Sequence, residues 1–140
     1  MTFQITQDQL DDIFEHALAD SPDECCGILI GDQMTDIVTI HRTRRVANVW
    51  DGERTHRFEL DARSHVRLQR EAREAGLEIV GFYHSHPTGE AVPSAFDVER
   101  AWPGVSYLIV SLDGDRRGDA RSWRLDDGES QFVEEEVLIL

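Results

Sequence analysis

Two histidines stand two residues apart in Gly81-Phe82-Tyr83-His84-Ser85-His86-Pro87, and Ser94 and Asp97 follow after a short loop. These residue types at this spacing offer three nitrogen and oxygen ligands to one divalent zinc, with a hydroxyl beside it. Catalytic zinc sites take three protein ligands and leave the fourth position to water, whereas structural sites close all four positions, usually with cysteines. The chain has only two cysteines, the adjacent Cys25 and Cys26. Neighbours on a strand face opposite ways, so this pair cannot easily share a metal. They read as small buried hydrophobes in a reducing compartment, with no disulfide framework.

The same alternation puts His84 and His86 on one face and Ser85 on the other. Pro87 has no N–H to donate, so it stops the ladder and turns the chain back over the histidines. Asp97 becomes a third ligand if a helix starting near Ser94 aims its first turn at the metal. Ser94-x-x-Asp97 is equally the pattern of an N-cap serine with an acidic residue in the first turn, which stabilises a helix by capping and dipole alone. A serine hydroxyl committed to that cap could not serve a substrate at the same instant. His16, His41, His56 and His65 stand alone and read as surface or satisfied core residues. Hydrolysis by metal-activated water also needs a carboxylate that is not a ligand, to take the proton and hand it to the leaving amine. Glu24 is the candidate, because an unpaired carboxylate at the mouth of an apolar strand is costly without a partner or a task. Spacing alone does not choose it from the 13 glutamates.

The elements that must hold these residues follow from patterning. Thr6 with Gln9 resembles a capping box ahead of Leu10, Ile13, Phe14, Ala17 and Leu18, which predicts a helix of about three turns ending at Ser21-Pro22. Cys25 to Ile30 reads as a buried strand, Gly31-Asp32 as a turn, and Thr35 to His41 as a second strand. From Arg42 to Arg57 the pattern breaks into a strand fragment and an exposed loop. Asp61 caps a second helix running to about Ala75, with Gly76 just past its end. Leu77 to Tyr83 is a central strand that delivers the histidines at its C-terminal end. Ser94 to about Trp102 reads as a short helix. Val105 to Leu112, Ala120 to Leu125 and Gln131 to Leu140 read as further strands, with turns near Gly114 and Gly128. The apolar end Val137 to Leu140 either finishes the sheet or meets a second chain.

With 140 residues and neither linker nor repeat, residues 1–140 are expected to form a single domain. Absence of a long apolar run and of a basic leader predicts a cytoplasmic protein with no membrane association. The net charge of -14, from 28 acidic and 14 basic residues, argues against nucleic acid as a partner. Every basic residue is arginine. Such acidity points to a halophilic host, where molar salt shortens the Debye length to about 3 Å and screens self-repulsion; arginine bias from a GC-rich genome explains the missing lysine as well.

Glu24, then His84-Ser85-His86-Pro87, six residues, Ser94, two residues and Asp97 match the JAMM (MPN-plus) metalloprotease pattern. The flanks Pro22-Asp23-Glu24-Cys25-Cys26-Gly27 and Ile79-Val80-Gly81 resemble compact archaeal isopeptidases of the desampylase type. The likeness covers Glu24 to about Leu112. It implies an α/β, cytidine-deaminase-like JAMM/MPN fold, with a mixed curved β-sheet flanked by about three helices. It also implies one zinc per chain on His84, His86 and Asp97, Glu24 as acid and base, and Ser94 at the developing oxyanion. The implied partners are ubiquitin-like modifier proteins and their lysine conjugates, joined through a C-terminal Gly-Gly. A rival within the family processes a sulfur-carrier protein, or its linear fusion, in cysteine or molybdopterin synthesis. A nucleobase deaminase would need H-x-E and P-C-x-x-C, which the chain lacks. The Val46 to Arg57 segment and the Thr88 to Pro93 loop are the candidates for gripping an extended tail by strand addition, with Trp50 either an exposed anchor or packed on the core.

Overall fold

A computed structural model describes residues 1–126, 128 and 131–140. Among them the chain forms, in order, β1 (Thr2–Ile5), α1 (Gln7–Asp20), β2 (Cys26–Met34), β3 (Ile37–Val46), α2 (Ala62–Glu74), β4 (Glu78–His86), α3 (Ala95–Arg100), β5 (Ser106–Asp113), β6 (Arg116–Leu125) and β7 (Phe132–Ile139). The result is a mixed α/β fold with three helices, as expected, and its curved sheet closes on itself in the order β1-β3-β2-β4-β5-β6-β7. Closure depends on β1, which pairs parallel with both β3 and β7. β1 is not predicted by the sequence pattern, since four residues carry too little alternation to announce a strand. Its two partners lie far along the chain. The apolar C-terminal end finishes the sheet by pairing with β1.

Both faces of β2 are covered, which is why its sequence runs apolar without alternation. Leu29 packs with Leu10, Ile13, Phe14 and Ala17 of α1, while Ile28 and Ile30 pack with Leu68 and Ala72 of α2. The predicted caps form. Thr6 Oγ1 accepts from Gln9 N–H at 3.1 Å while Gln9 Oε1 accepts from Thr6 N–H at 3.0 Å. Asp61 Oδ2 accepts from Ser64 N–H at 3.2 Å, and Gly76 takes the left-handed conformation at φ 71°. Cys25 and Cys26 are both fully buried.

The second predicted strand was too short. β3 runs on to Val46 through Arg42-Thr43-Arg44-Arg45, a stretch whose polarity hid it. Arg42 and Arg44 lie along the sheet and both pair with Glu71 of α2, at 3.1 and 3.0 Å. β4 likewise continues through both histidines rather than ending at Tyr83. The turn expected near Gly128 falls largely on residues 127, 129 and 130, outside the described residues.

β4 and β5 are parallel, so the chain must cross from one end of the sheet to the other between them. That crossover carries α3. Its first turn therefore lands at the C-terminal end of β4, where the histidines emerge.

Candidate metal centre

Phe82, His84 and His86 share one face of β4, and Ser85 turns to the other, where its Oγ accepts from Cys25 N–H at 2.8 Å. A second bond, Ser85 N–H to the Cys25 carbonyl at 3.1 Å, ties β4 to the residue after Glu24. The serine between the histidines thus fixes where Glu24 starts.

The crossover brings Asp97 to the histidines. His84 Nε2 lies 3.2 Å from His86 Nε2, Asp97 Oδ2 lies 3.2 Å from His84 Nε2, and it lies 3.4 Å from His86 Nε2. Tetrahedral zinc with bonds of about 2.0–2.1 Å separates its ligands by about 3.3–3.4 Å, so this triangle has the edge lengths that such an ion requires. Tautomers agree. His86 Nδ1 lies 2.7 Å from the Glu90 carbonyl, which can only accept, so Nδ1 carries the proton and Nε2 keeps a lone pair facing the centre. Phe58 stacks on the His84 ring at 4.5 Å and 23° and limits its rotation.

Ser94 and Asp97 form a full capping box. Ser94 Oγ accepts from Asp97 N–H at 3.1 Å, and Asp97 Oδ2 accepts from Ser94 N–H at 2.9 Å. The two readings of this pair are therefore compatible. The cap uses a lone pair of the hydroxyl and leaves its O–H available to donate, so capping does not bar Ser94 from serving a substrate. The cap also holds Asp97 Oδ2 at its place in the triangle.

Glu24 is 5% exposed, and one donor each of Glu24, His84 and His86 lies within 4.8 Å of the others. That group and the triangle with Asp97 are alternative ligand sets, and their two carboxylates differ in electrostatics. Burial pushes Glu24 up to about 8, opposed by His86 and reinforced by Asp97. Burial works on Asp97 as well, but His84, His86 and the Ser94 N–H outweigh it and hold that carboxyl well below the usual carboxylate range. Asp97 is thus held ionised beside the two imidazoles, while the buried Glu24 carboxyl keeps its proton at neutral pH. The donor set fits zinc.

A cleft of about 850 Å³ opens beside His84 and Asp97, walled by Phe58, Leu60, Phe82, Phe96, Trp102 and Tyr107 among others. Of the segments expected to grip a substrate, Val46 to Arg57 contributes only Val49 to these walls. Among the described residues, the Thr88–Pro93 loop contributes none; it works beneath the site, through the Glu90 carbonyl on His86 and the Ala91 carbonyl on Trp123 Nε1. Trp50 packs edge-to-face on Phe96 at 5.3 Å, on α3 rather than on the core. His65, read as an isolated helical histidine, lines the cleft against Phe82. His16 is a satisfied core residue, 2.6 Å from Tyr83 Oη and 3.3 Å from Asp20. Cys25, raised by burial to about 12, is not a thiolate at neutral pH. The aromatic walls were missed because they come from four separate stretches of chain with no shared motif.

Residues 6–126 match a family described as prokaryotic homologs of the JAB domain. The chain is 42% identical over 128 residues to a desampylase of Haloferax volcanii, covering 88% of each chain. It is 35% identical over 126 residues to a CysO-cysteine peptidase of Mycobacterium tuberculosis, covering 89% of this chain and 83% of that one. A solution structure of a protein from Desulfitobacterium hafniense superposes with a TM-score of 0.86 at 30% identity, covering 100% of this chain and 93% of that one.

Proposed function

The chain belongs to the prokaryotic JAB-domain family and is a JAMM-type hydrolase, and on that premise we propose that it is a zinc-dependent isopeptidase removing ubiquitin-like modifier proteins from lysine side chains. The observation that carries the zinc reading is the triangle of His84, His86 and Asp97, whose edges of 3.2 to 3.4 Å suit one ion. Such an ion, when bound, acts as a Lewis acid that lowers the pKa of water and polarises a carbonyl.

The chain's own residues supply the rest. Glu24, with its carboxyl raised to about 8, takes a proton from the attacking water and returns it to the lysine amine as the C–N bond breaks. With a cation in the triangle the Glu24 carboxyl would fall below that value and favour the ionised form that accepts the proton. Ser94 turns its free O–H toward the carbonyl oxygen as negative charge builds there. The aromatic cleft excludes water from the chain leading to the scissile carbonyl, and Phe58 and the Glu90 carbonyl keep both imidazoles aimed.

The substrate class is supported by the relatives' names, a desampylase and a probable TtuB-protein conjugate cleaving protease. The CysO-cysteine peptidase relatives favour a second reading, in which the same residues process a sulfur-carrier protein. One experiment separates them: purified protein in high salt is incubated with a lysine-linked ubiquitin-like conjugate and with a linear sulfur-carrier fusion, with and without chelator. Chelator-sensitive release from the lysine conjugate is the expected result. Cutting of the linear fusion alone would replace this reading with the second.

A further inference from the structure

Asn48 makes four hydrogen bonds with one side chain, all to backbone. Its Nδ2 donates to the Glu24 carbonyl at 2.9 Å and to the Arg57 carbonyl at 3.1 Å, and its Oδ1 accepts from Trp50 N–H and Glu59 N–H, both at 3.1 Å. An amide has two donors and two acceptor sites, so the group is saturated. Asn48 also forms a lone bridge with Leu60, and Val49 N–H bonds the Glu59 carbonyl at 2.9 Å. The neck of the loop of residues 49–59 is therefore held by the Asn48 side chain together with these main-chain pairings, and Glu24 N–H meets the same loop at the Arg54 carbonyl, at 2.7 Å.

What the loop touches gives the hub its meaning. The Arg57 guanidinium lies 4.5 Å from the Phe96 ring centre, and Trp50 packs on the same ring. Arg100 stacks there too, at 5.1 Å, and pairs with Glu59 at 3.6 Å. Phe96 and Arg100 belong to α3, the helix that carries Asp97 and that has no buried residue of its own. From one amide, then, one arm reaches Glu24 directly and the other reaches Asp97 through the loop and its stacked clamp.

We propose that Asn48 is a positioning residue for hydrolysis, setting the backbone of Glu24 and the clamp on α3 in fixed relation to each other. This rests on the reading of Glu24 as base. Asn48→Asp is nearly the same shape; it keeps the two accepted bonds and loses the two donated ones. Asn48→Ala loses all four.

The test compares both variants with the wild-type chain in zinc content, in amide exchange at Trp50 and Glu59, and in kcat and KM on a lysine-linked ubiquitin-like conjugate. Asn48→Asp is expected to keep zinc and amide protection and a KM within about twofold, while kcat falls about ten- to a hundredfold, the scale of a misplaced catalytic group. Asn48→Ala should expose both amides, lower kcat at least as far and raise KM. A kcat for Asn48→Asp within twofold of wild type would overturn the proposal, and so would a loss of zinc in step with kcat. A wild-type chain that cleaves neither the conjugate nor the linear fusion sinks the isopeptidase reading and this inference with it, an outcome distinct from a Asn48→Asp variant that stays fully active.

Discussion

The carboxyl groups of Glu24 and Asp97 are both largely shielded from water, and their surroundings drive them apart. Asp97 faces two imidazoles and an N–H, while Glu24 faces mainly the loss of water, so one stays ionised and the other sits near 8. Linkage gives this a consequence for stability. A carboxyl whose folded value exceeds its unfolded value keeps a proton that the unfolded chain gives up, so stability falls as pH rises from about 4.5 to about 8. Glu24→Gln removes that penalty. In metal-free protein it should raise the melting temperature at pH 8, by a gain on the order of a few kcal/mol at most, and leave it unchanged near pH 4.5, as calorimetry across that range would show. The same variant should lower kcat by about a hundredfold or more in the zinc-loaded enzyme. Equal stability of the two proteins at pH 8 would contradict the buried, protonated state of Glu24. At this scale the convergence of His84, His86 and Asp97 was legible because the three lie close together in the sequence and their types at that spacing admit few other uses. Glu24 lies far upstream; its place at the mouth of an apolar strand made it a candidate, spacing did not choose it from the other glutamates, and the family resemblance did. Asn48 and Phe58 left no trace, since one works through backbone hydrogen bonds and the other by stacking, from a loop without periodicity.

The parallel crossover from β4 to β5 puts the site at the end of the sheet, and its precision depends on how closely these two strands approach. A Cβ added at Gly81 would lie 2.5 Å from the Ser106 carbonyl oxygen on β5. Gly81→Ala must therefore push β4 from β5, with an expected cost of about 1–3 kcal/mol in chemical denaturation and weaker zinc retention. A variant as stable as wild type would show that the strands have slack there. α3 is held differently, by the capping box and the cation–π stack on Phe96. Arg57→Ala should leave global stability nearly unchanged and weaken zinc binding about two- to fivefold in competition with a chelator, in keeping with a stack on an exposed guanidinium worth about 0.5–1 kcal/mol. Unaltered zinc affinity would remove Arg57 from the clamp. The helices were legible because each opens on a cap residue, Thr6, Asp61 or Ser94. β1 and the second half of β3 were not. β1 is too short to show a period, and β3 hides behind arginines whose charge is met by Glu71 across the fold.

Closure of the sheet and the charge of -14 are properties of the whole chain. Many arginines meet acidic partners, yet twice as many acids as bases remain, and their mutual repulsion opposes the compact state. Raising potassium chloride from about 0.1 to about 1 M shortens the Debye length from about 10 Å to about 3 Å and should raise the melting temperature by several degrees. A flat or falling curve would leave the acidity without that role. No helix among the described residues is long and apolar enough to cross a membrane. Composition made the acidity plain, but not the closed barrel, because closure needs the two ends of the chain to meet. Three side chains from β4 and α3 are proposed to share one ion that Glu24 does not bind. Elemental analysis of dialysed wild type, Glu24→Gln and Asp97→Ala at neutral pH tests this most directly: about one zinc per chain is expected in the first two and little in the third. Full zinc in Asp97→Ala, or its loss from Glu24→Gln, would contradict it.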